Sequence, residues 1–237
     1  MLQSVKLLLS FLFPPRCPIC DDLRPLHAAP ICTTCYAKLE WVESPFCYRC
    51  GKPLKNEETQ YCHDCTKIKH FFYQGRAMLH YHTLAKSLYR LKYGNRQEYA
   101  AIYGRLMAEY FRDFLFKTGA QALIPVPLHP ARKRKRGYNQ AMLLAREISR
   151  ITKIPMRDDI IKRVKNTIPL KSLTPLERQN NLKKSFHLTR NEVKLETVII
   201  IDDIYTTGST IDEMSRLLIR NGVSRVYFLT LACGAGS

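Results

Sequence analysis

Two sets of residues in this chain have the types and spacing to do chemistry. The first is a ladder of cysteines. Cys17/Cys20, Cys32/Cys35, Cys47/Cys50 and Cys62/Cys65 are four copies of C-x2-C, each beginning fifteen residues after the last. A C-x2-C knuckle aims two thiolates at one point, and two knuckles complete the tetrahedral S4 set that zinc favours. Disulfide bonding gives no reason for four copies of one tight spacing, so the ladder reads as two structural zinc sites. Sequential pairing makes two ribbons, Cys17/Cys20/Cys32/Cys35 and Cys47/Cys50/Cys62/Cys65. Cross-brace pairing would join the first knuckle to the third and the second to the fourth. Shorter loops close at lower entropic cost, which favours the sequential arrangement. Cys20-Asp21 and Cys50-Gly51 suit the tight turns of the knuckles. With all four positions filled, such sites hold structure and do not activate water. His27 and His63 are then surplus and read as surface histidines, and Cys233, after an apolar run, reads as a small buried residue.

The second set is the stretch Val198-Ile-Ile-Ile-Asp202-Asp203-Ile-Tyr-Thr206-Thr207-Gly208-Ser209-Thr210. Four aliphatics predict a buried strand, with two carboxylates at its carboxyl end, where open α/β sheets place their ligands. A Thr/Gly/Ser turn then opens a helix, whose free N–H groups and positive dipole end make a phosphate cradle. Adjacent carboxylates beside a phosphate need another task, and ribose hydroxyls suit them, with magnesium as a bridge. No Walker loop or G-x-G-x-x-G sequence is present, which argues against a nucleotidase or a dinucleotide-binding protein.

The elements that must position these groups follow from periodicity. Apolar residues recur at helical spacing over 84–93 and 98–116, with a break at Gly94-Asn95. Strands are expected over 122–126, 160–164, 198–201 and 226–232, and helices over 139–151 and 209–221. Strands alternating with helices predict an α/β domain with a mostly parallel sheet flanked by helices. The 237 residues leave room for one such domain plus a small module, divided here into 1–68 for the zinc ribbons and 69–237 for the α/β domain.

Charge sets this chain apart from an ordinary globular protein. Thirty-eight Lys and Arg against twenty Asp and Glu give +18. Residues 127–190 alone hold seventeen basic and four acidic residues, densest at Arg132-Lys133-Arg134-Lys135-Arg136. A small anionic ligand accounts for two or three of these, and the excess points to a nucleic-acid backbone, single-stranded, with Tyr138 or Tyr205 as stacking partners. The apolar start at residues 7–13 follows one lysine and runs into Pro14-Pro15 without a small-residue cleavage site. It is also shorter than the roughly 20 apolar residues a bilayer span takes. Residues 5–13 are expected to form a short helix packed on the neighbouring cysteine module, in a reducing cytoplasmic setting without stable membrane insertion.

The strand–acid–acid–loop stretch resembles the signature of the type I phosphoribosyltransferases throughout. That resemblance implies that Asp202 and Asp203 hold the ribose hydroxyls of phosphoribosyl pyrophosphate (PRPP), or of a related ribose phosphate. Thr206, Thr207, Gly208, Ser209 and Thr210 would hold its 5′-phosphate, with Mg2+ accompanying it. A second resemblance is to the ComF family of DNA-uptake proteins. Ile124-Pro-Val-Pro-Leu-His-Pro and Arg136-Gly-Tyr-Asn-Gln140 carry it, together with residues 163–167, Leu173, Glu177-Arg178, Asn181, Phe186 and the cysteine ladder. It implies a pyrophosphate loop at Val126, Pro127, Leu128 and His129, and a phosphate-contacting turn from Arg136 to Gln140. It also implies a competence-type accessory protein that handles single-stranded DNA and meets a DNA-uptake helicase or channel protein through its ribbons. One position departs from the family: Leu170 stands where a glutamine is frequent, which removes a polar contact and favours binding over catalysis. The alternatives are an active phosphoribosyltransferase of nucleotide salvage and a PRPP-sensing regulator without turnover, because one fold hosts many functions.

Overall fold

The computed structural model describes residues 14–165, 185–189 and 194–234. The helix expected over 5–13 and the signature positions Thr167, Leu170, Leu173, Glu177, Arg178 and Asn181 lie outside them. The architecture is a four-stranded, all-parallel sheet flanked by helices, with a double-knuckle module at its amino-terminal side. The strands are β1 (Gln74–His80), β2 (Ala122–Pro125), β5 (Thr197–Tyr205) and β6 (Arg225–Cys233), in the order β1-β6-β5-β2. The strand expected over 160–164 is instead β3 (Ile161–Arg163), which pairs antiparallel with β4 (Phe186–Leu188) in a separate two-stranded ribbon.

The sheet is buried on both faces, which is why β5 and β6 read as nearly unbroken apolar runs. Successive residues of β5 nevertheless serve different cores, because side chains alternate across a strand. Ile199 and Ile201 join the core formed with α3 (Tyr81–Tyr93), α4 (Tyr99–Tyr110) and α7 (Gln140–Thr152). Val198 and Ile200 join the opposite core with α8 (Ser209–Ile219). The two cysteine knuckle pairs divide in the same way. Cys17, Ile31 and Leu39 belong to the first core, and Cys47, Cys50 and Cys62 to the second.

Several elements differ from the sequence expectation. The long helix over 98–116 is two helices, α4 and α5 (Arg112–Thr118), parted at Phe111, whose backbone leaves helical geometry at φ −95°, ψ 14°. β5 runs through Asp202 and Asp203 to Tyr205 instead of ending at Ile201, since its ladder with β6 continues as far as Tyr205 and Cys233. The basic run is a helix, α6 (Pro130–Arg136), started by proline at its first position and capped by the His129 side chain. β1 was not foreseen at all, and the two short helices α1 (Thr33–Tyr36) and α2 (His63–Lys67) lie just after knuckle cysteines. No helix among the described residues is long and apolar enough to cross a membrane.

β1 pairs with β6 on one side, and the cysteine module covers its other edge. Gly75 N donates to Arg49 O (2.8 Å), Gln74 Nε2 donates to Tyr48 O (2.9 Å), and the Arg76 guanidinium lies 4.0 Å from the Phe46 ring. This seat requires a glycine at 51. Its φ is +72°, and a Cβ there would lie 2.7 Å from both Arg76 Cα and Gly75 O. Gly51→Ala combines a left-handed penalty of about 1–2 kcal/mol with that backbone overlap. It should lower stability by more than about 2 kcal/mol in a denaturant titration.

Candidate functional site

The cysteines assemble in sequential pairs. Cys17, Cys20, Cys32 and Cys35 bring their sulfurs within 4.8 Å of one another, and so do Cys47, Cys50, Cys62 and Cys65. The two sets are built alike. In each, the residue after the second cysteine donates its N–H to the first cysteine's carbonyl (Asp21 to Cys17 and Gly51 to Cys47, both 2.8 Å), with φ of +70° and +72°. No described cysteine is in a disulfide. The donor sets fit zinc: Cys50 Sγ and Cys62 Sγ stand 3.6 Å apart, close to the roughly 3.8 Å edge of a tetrahedron with Zn–S near 2.3 Å. Hydrogen bonds from Cys50, Cys62 and Cys65 hold Cys47 well below the usual thiol range, and the same crowding pushes Cys65 well above it. Four thiolates ionise together only around a cation. His63, with a largely exposed ring, and His27 stand aside as expected, and Cys233 is buried.

At the carboxyl ends of β2 and β5 lies a cleft of about 300 Å³. Asp202 and Asp203 form its floor and residues 206–210 its rim. Val126 and Leu128 flank it, while Pro127 and His129 are not among its lining residues. His129 turns its Nδ1 to accept from Ala131 N (3.2 Å) as the cap of α6. Gly208, at φ +78°, lets the loop turn into α8, and a Cβ there would sit 2.6 Å from the Tyr205 hydroxyl. It brings no side chain to cap the helix, so the first N–H groups of α8 are left facing the cleft. Thr207 Oγ1 and Ser209 Oγ share a 2.9 Å hydrogen bond at the same rim.

Four cations answer the two carboxylates: Lys92, Arg132, Arg136 and Arg163 all line the cleft. Lys92 Nζ meets Asp203 Oδ2 at 2.6 Å. Burial works against the Lys92 charge, but Asp203 and Asp202 outweigh it and its pKa rises. Burial and the neighbouring Asp203 charge push Asp202 up to about 7. Burial, with Arg132 nearby, lowers Arg163 to about 10, and its guanidinium lies 5.3 Å from the Phe186 ring. Lys92 carried no sequence signal, being one lysine near the end of an amphipathic helix. Arg163 fell inside a recognised motif but had no assigned role.

The basic run divides between two faces. Arg132 and Arg136, four residues apart on α6, face the cleft, while Lys133, Arg134 and Lys135 are exposed. Arg136 Nη1 donates to Gln140 Oε1 (2.7 Å), and its guanidinium lies 5.0 Å from the Tyr93 ring. Most of the 136–140 turn is framework. Tyr138 Oη donates to Leu91 O (2.6 Å) and Asn139 Nδ2 to Val126 O (2.9 Å), tying the end of α3 to the β2 loop. Tyr138 and Tyr205 are 7% and 2% exposed, so neither can stack on a base as expected from the sequence. Tyr205 instead stacks on Phe228 with ring centroids 4.7 Å apart.

Residues 93–236, more than half of the chain, match the family model described as the phosphoribosyl transferase domain, and residues 8–66 match the double zinc ribbon domain. The chain belongs to the phosphoribosyl transferase domain family, and within it to the ComF type. It is 44% identical over 114 residues to Competence protein F of Haemophilus influenzae, which covers 47% of this chain and 50% of that protein. Identity to the DNA utilization protein YhgH of Escherichia coli K12 is 33% over 146 residues, 60% of this chain and 64% of the relative. The chain thus spans half to under two thirds of these relatives' lengths. A solved purine phosphoribosyltransferase from Pyrococcus horikoshii is also similar, at 16% identity and a TM-score of 0.34 over 55% of this chain and 70% of that one.

Two measurements check this ComF-type site. Elemental analysis of the dialysed protein should find two tightly held zincs per chain, with removal by a chelator unfolding the ribbons. Asp202→Asn should raise the thermal midpoint. The folded state holds the Asp202 proton up to about pH 7, whereas an ordinary carboxyl loses it near 3.8. The charge therefore costs stability increasingly across that interval and fully above it. The variant's advantage should be clear at pH 8 and nearly absent at pH 4, because Asn never ionises and still accepts the hydrogen bond from Asp203 N (2.8 Å).

Proposed function

We propose that this protein is a DNA-uptake accessory protein that handles incoming single-stranded DNA and binds PRPP, or a related ribose phosphate, in the cleft between β2 and β5. The observation that carries the ligand reading is the cleft itself: two carboxylates at a strand end, a phosphate loop at a helix start and four surrounding cations. A phosphoribosyl ligand needs this set. The carboxylates accept from ribose hydroxyls, the α8 N–H groups and the hydroxyls of residues 206–210 take the 5′-phosphate, and Arg132 and Arg136 face a pyrophosphate. The relatives' names, Competence protein F and DNA utilization protein, support the biological setting.

Magnesium fits this arrangement in a limited way. Asp203 is already paired with Lys92, and Asp202 accepts from Asp203 N. The chain therefore offers at most one or two carboxylate oxygens, the share that Mg2+ takes when substrate phosphates and water supply the rest. When bound, it would neutralise the pyrophosphate. Lys92 would hold Asp203 in place, and Arg163 and Arg132 would draw the phosphates into the cleft.

Single-stranded DNA is assigned to the outer face of α6, where Lys133, Arg134 and Lys135 are exposed. The cytoplasm is the expected compartment, and a helicase or channel protein the expected partner of the ribbons. Replacing Asp202 and Asp203 together by Asn should abolish PRPP binding in calorimetry while the fold is retained, and unchanged affinity would overturn the ligand reading. Changing Lys133, Arg134 and Lys135 to Gln should weaken DNA binding and reduce its log–log salt slope by about 2, at roughly 0.7 for each phosphate no longer neutralised. PRPP affinity should not change. A DNA affinity insensitive to salt and to this triple change would overturn the nucleic-acid reading.

A further inference from the structure

Between the first ribbon and the sheet, residues 40–42 run antiparallel along the open edge of β1. Val42 N donates to Met78 O (3.0 Å), Trp41 bridges Leu79, and His80 N donates to Glu40 O (2.9 Å). This register sets Glu40 directly opposite His80. β1 ends at His80 and α3 begins at Tyr81, so the chain turns and carries His82 alongside, with the two imidazole rings 5.7 Å apart. His82 Nε2 lies 2.7 Å from Glu40 Oε1. One ligand atom from each of Glu40, His80 and His82 falls within 4.8 Å of the others.

A lone surface His–Glu pair is common and contributes little. Here a third donor converges on the pair. Two of the three sit on backbones locked to each other by a ladder bond, and the third is two residues beyond the strand end. Two imidazoles and a carboxylate suit borderline first-row divalent ions and suit Mg2+ or Ca2+ poorly, since those take oxygen ligands. The donors number three, and the Glu40 and His82 side chains are 56% and 64% exposed. Water would therefore complete the coordination, and the ion would exchange freely, unlike zinc enclosed by four thiolates.

We propose that Glu40, His80 and His82 form a third metal site, exchangeable and free of thiolate, for a borderline divalent cation such as zinc. An ion there joins residue 40 to residues 80–82 and so closes the segment that contains the whole second ribbon. It clips the exit of the first ribbon to the sheet edge.

The test uses the full chain with both ribbons zinc-loaded, dialysed and titrated with cobalt(II) chloride by calorimetry and visible absorption. One further equivalent should bind, with only weak d–d bands, because nitrogen and oxygen ligands give no thiolate charge transfer. Glu40→Gln and His82→Ala should each weaken it by at least about tenfold. Both changes lie on exposed side chains, and an unchanged thermal midpoint of the metal-free variants would show that the fold survives them. Three results would overturn the site: no further equivalent at millimolar cobalt, affinity unaffected by both substitutions, or cobalt entering only with intense sulfur-to-cobalt bands as zinc leaves the ribbons.

Discussion

Asp202 and Asp203 place two negative charges on consecutive residues of a strand that is otherwise sealed from water. Charges so placed repel each other and lose hydration together. The neighbouring elements answer this problem. α3 ends where Lys92 reaches Asp203, α6 presents Arg132 and Arg136, and β3 brings Arg163. The balance is incomplete, since Asp202 remains high in pKa and Lys92 is largely occupied by Asp203. A cleft that gathers four cations around two crowded carboxylates holds like charges of both signs close together, and that crowding costs stability.

Behind the loop of residues 206–210 stands the second ribbon. Tyr205, the last residue of β5, packs edge-on to Phe72 (6.3 Å) and under the Lys52 ammonium (5.8 Å), while Lys52 pairs with Asp64 of the same ribbon at 2.8 Å. Asp212, in the first turn of α8, accepts from Phe71 N (2.9 Å) and meets His70 Nδ1 at 2.6 Å. The segment leaving the ribbon is thus fastened to the helix that follows residues 206–210. The ribbon therefore braces the strand and helix that carry the site from behind, without itself lining the cleft, and is more than an appended module.

Much of this was legible in the sequence, and the exceptions have physical reasons. The cysteine ladder gave its partners correctly because short loops close first. The 198–210 stretch gave the cleft because its strand, acids and turn are contiguous. β1 was hidden because its outer residues, Gln74, Gly75 and Arg76, are chosen to meet the ribbon and interrupt the apolar run expected of a buried parallel strand. The acids concealed the end of β5, which continues because the partner strand does. Arg132 to Arg136 looked like one patch, yet helical geometry sends its ends into the cleft and its middle into solvent. Lys92 was invisible because its partner lies more than a hundred residues away, and only the fold brings them together.

The two ribbons share one knuckle turn but use it differently. At the first, the left-handed residue is Asp21, whose carboxylate accepts from Tyr99 and from Arg96 and so reaches outward to α4. At the second it is Gly51, where the missing side chain lets β1 come in against the backbone. One turn is a hook and the other a socket. The halves are therefore keyed to opposite faces of the sheet, and exchanging them would drive a carboxylate into the carbonyl of Gly75 while leaving Tyr99 without its acceptor. A module that looks like a repeat in sequence has, in the folded chain, a left and a right.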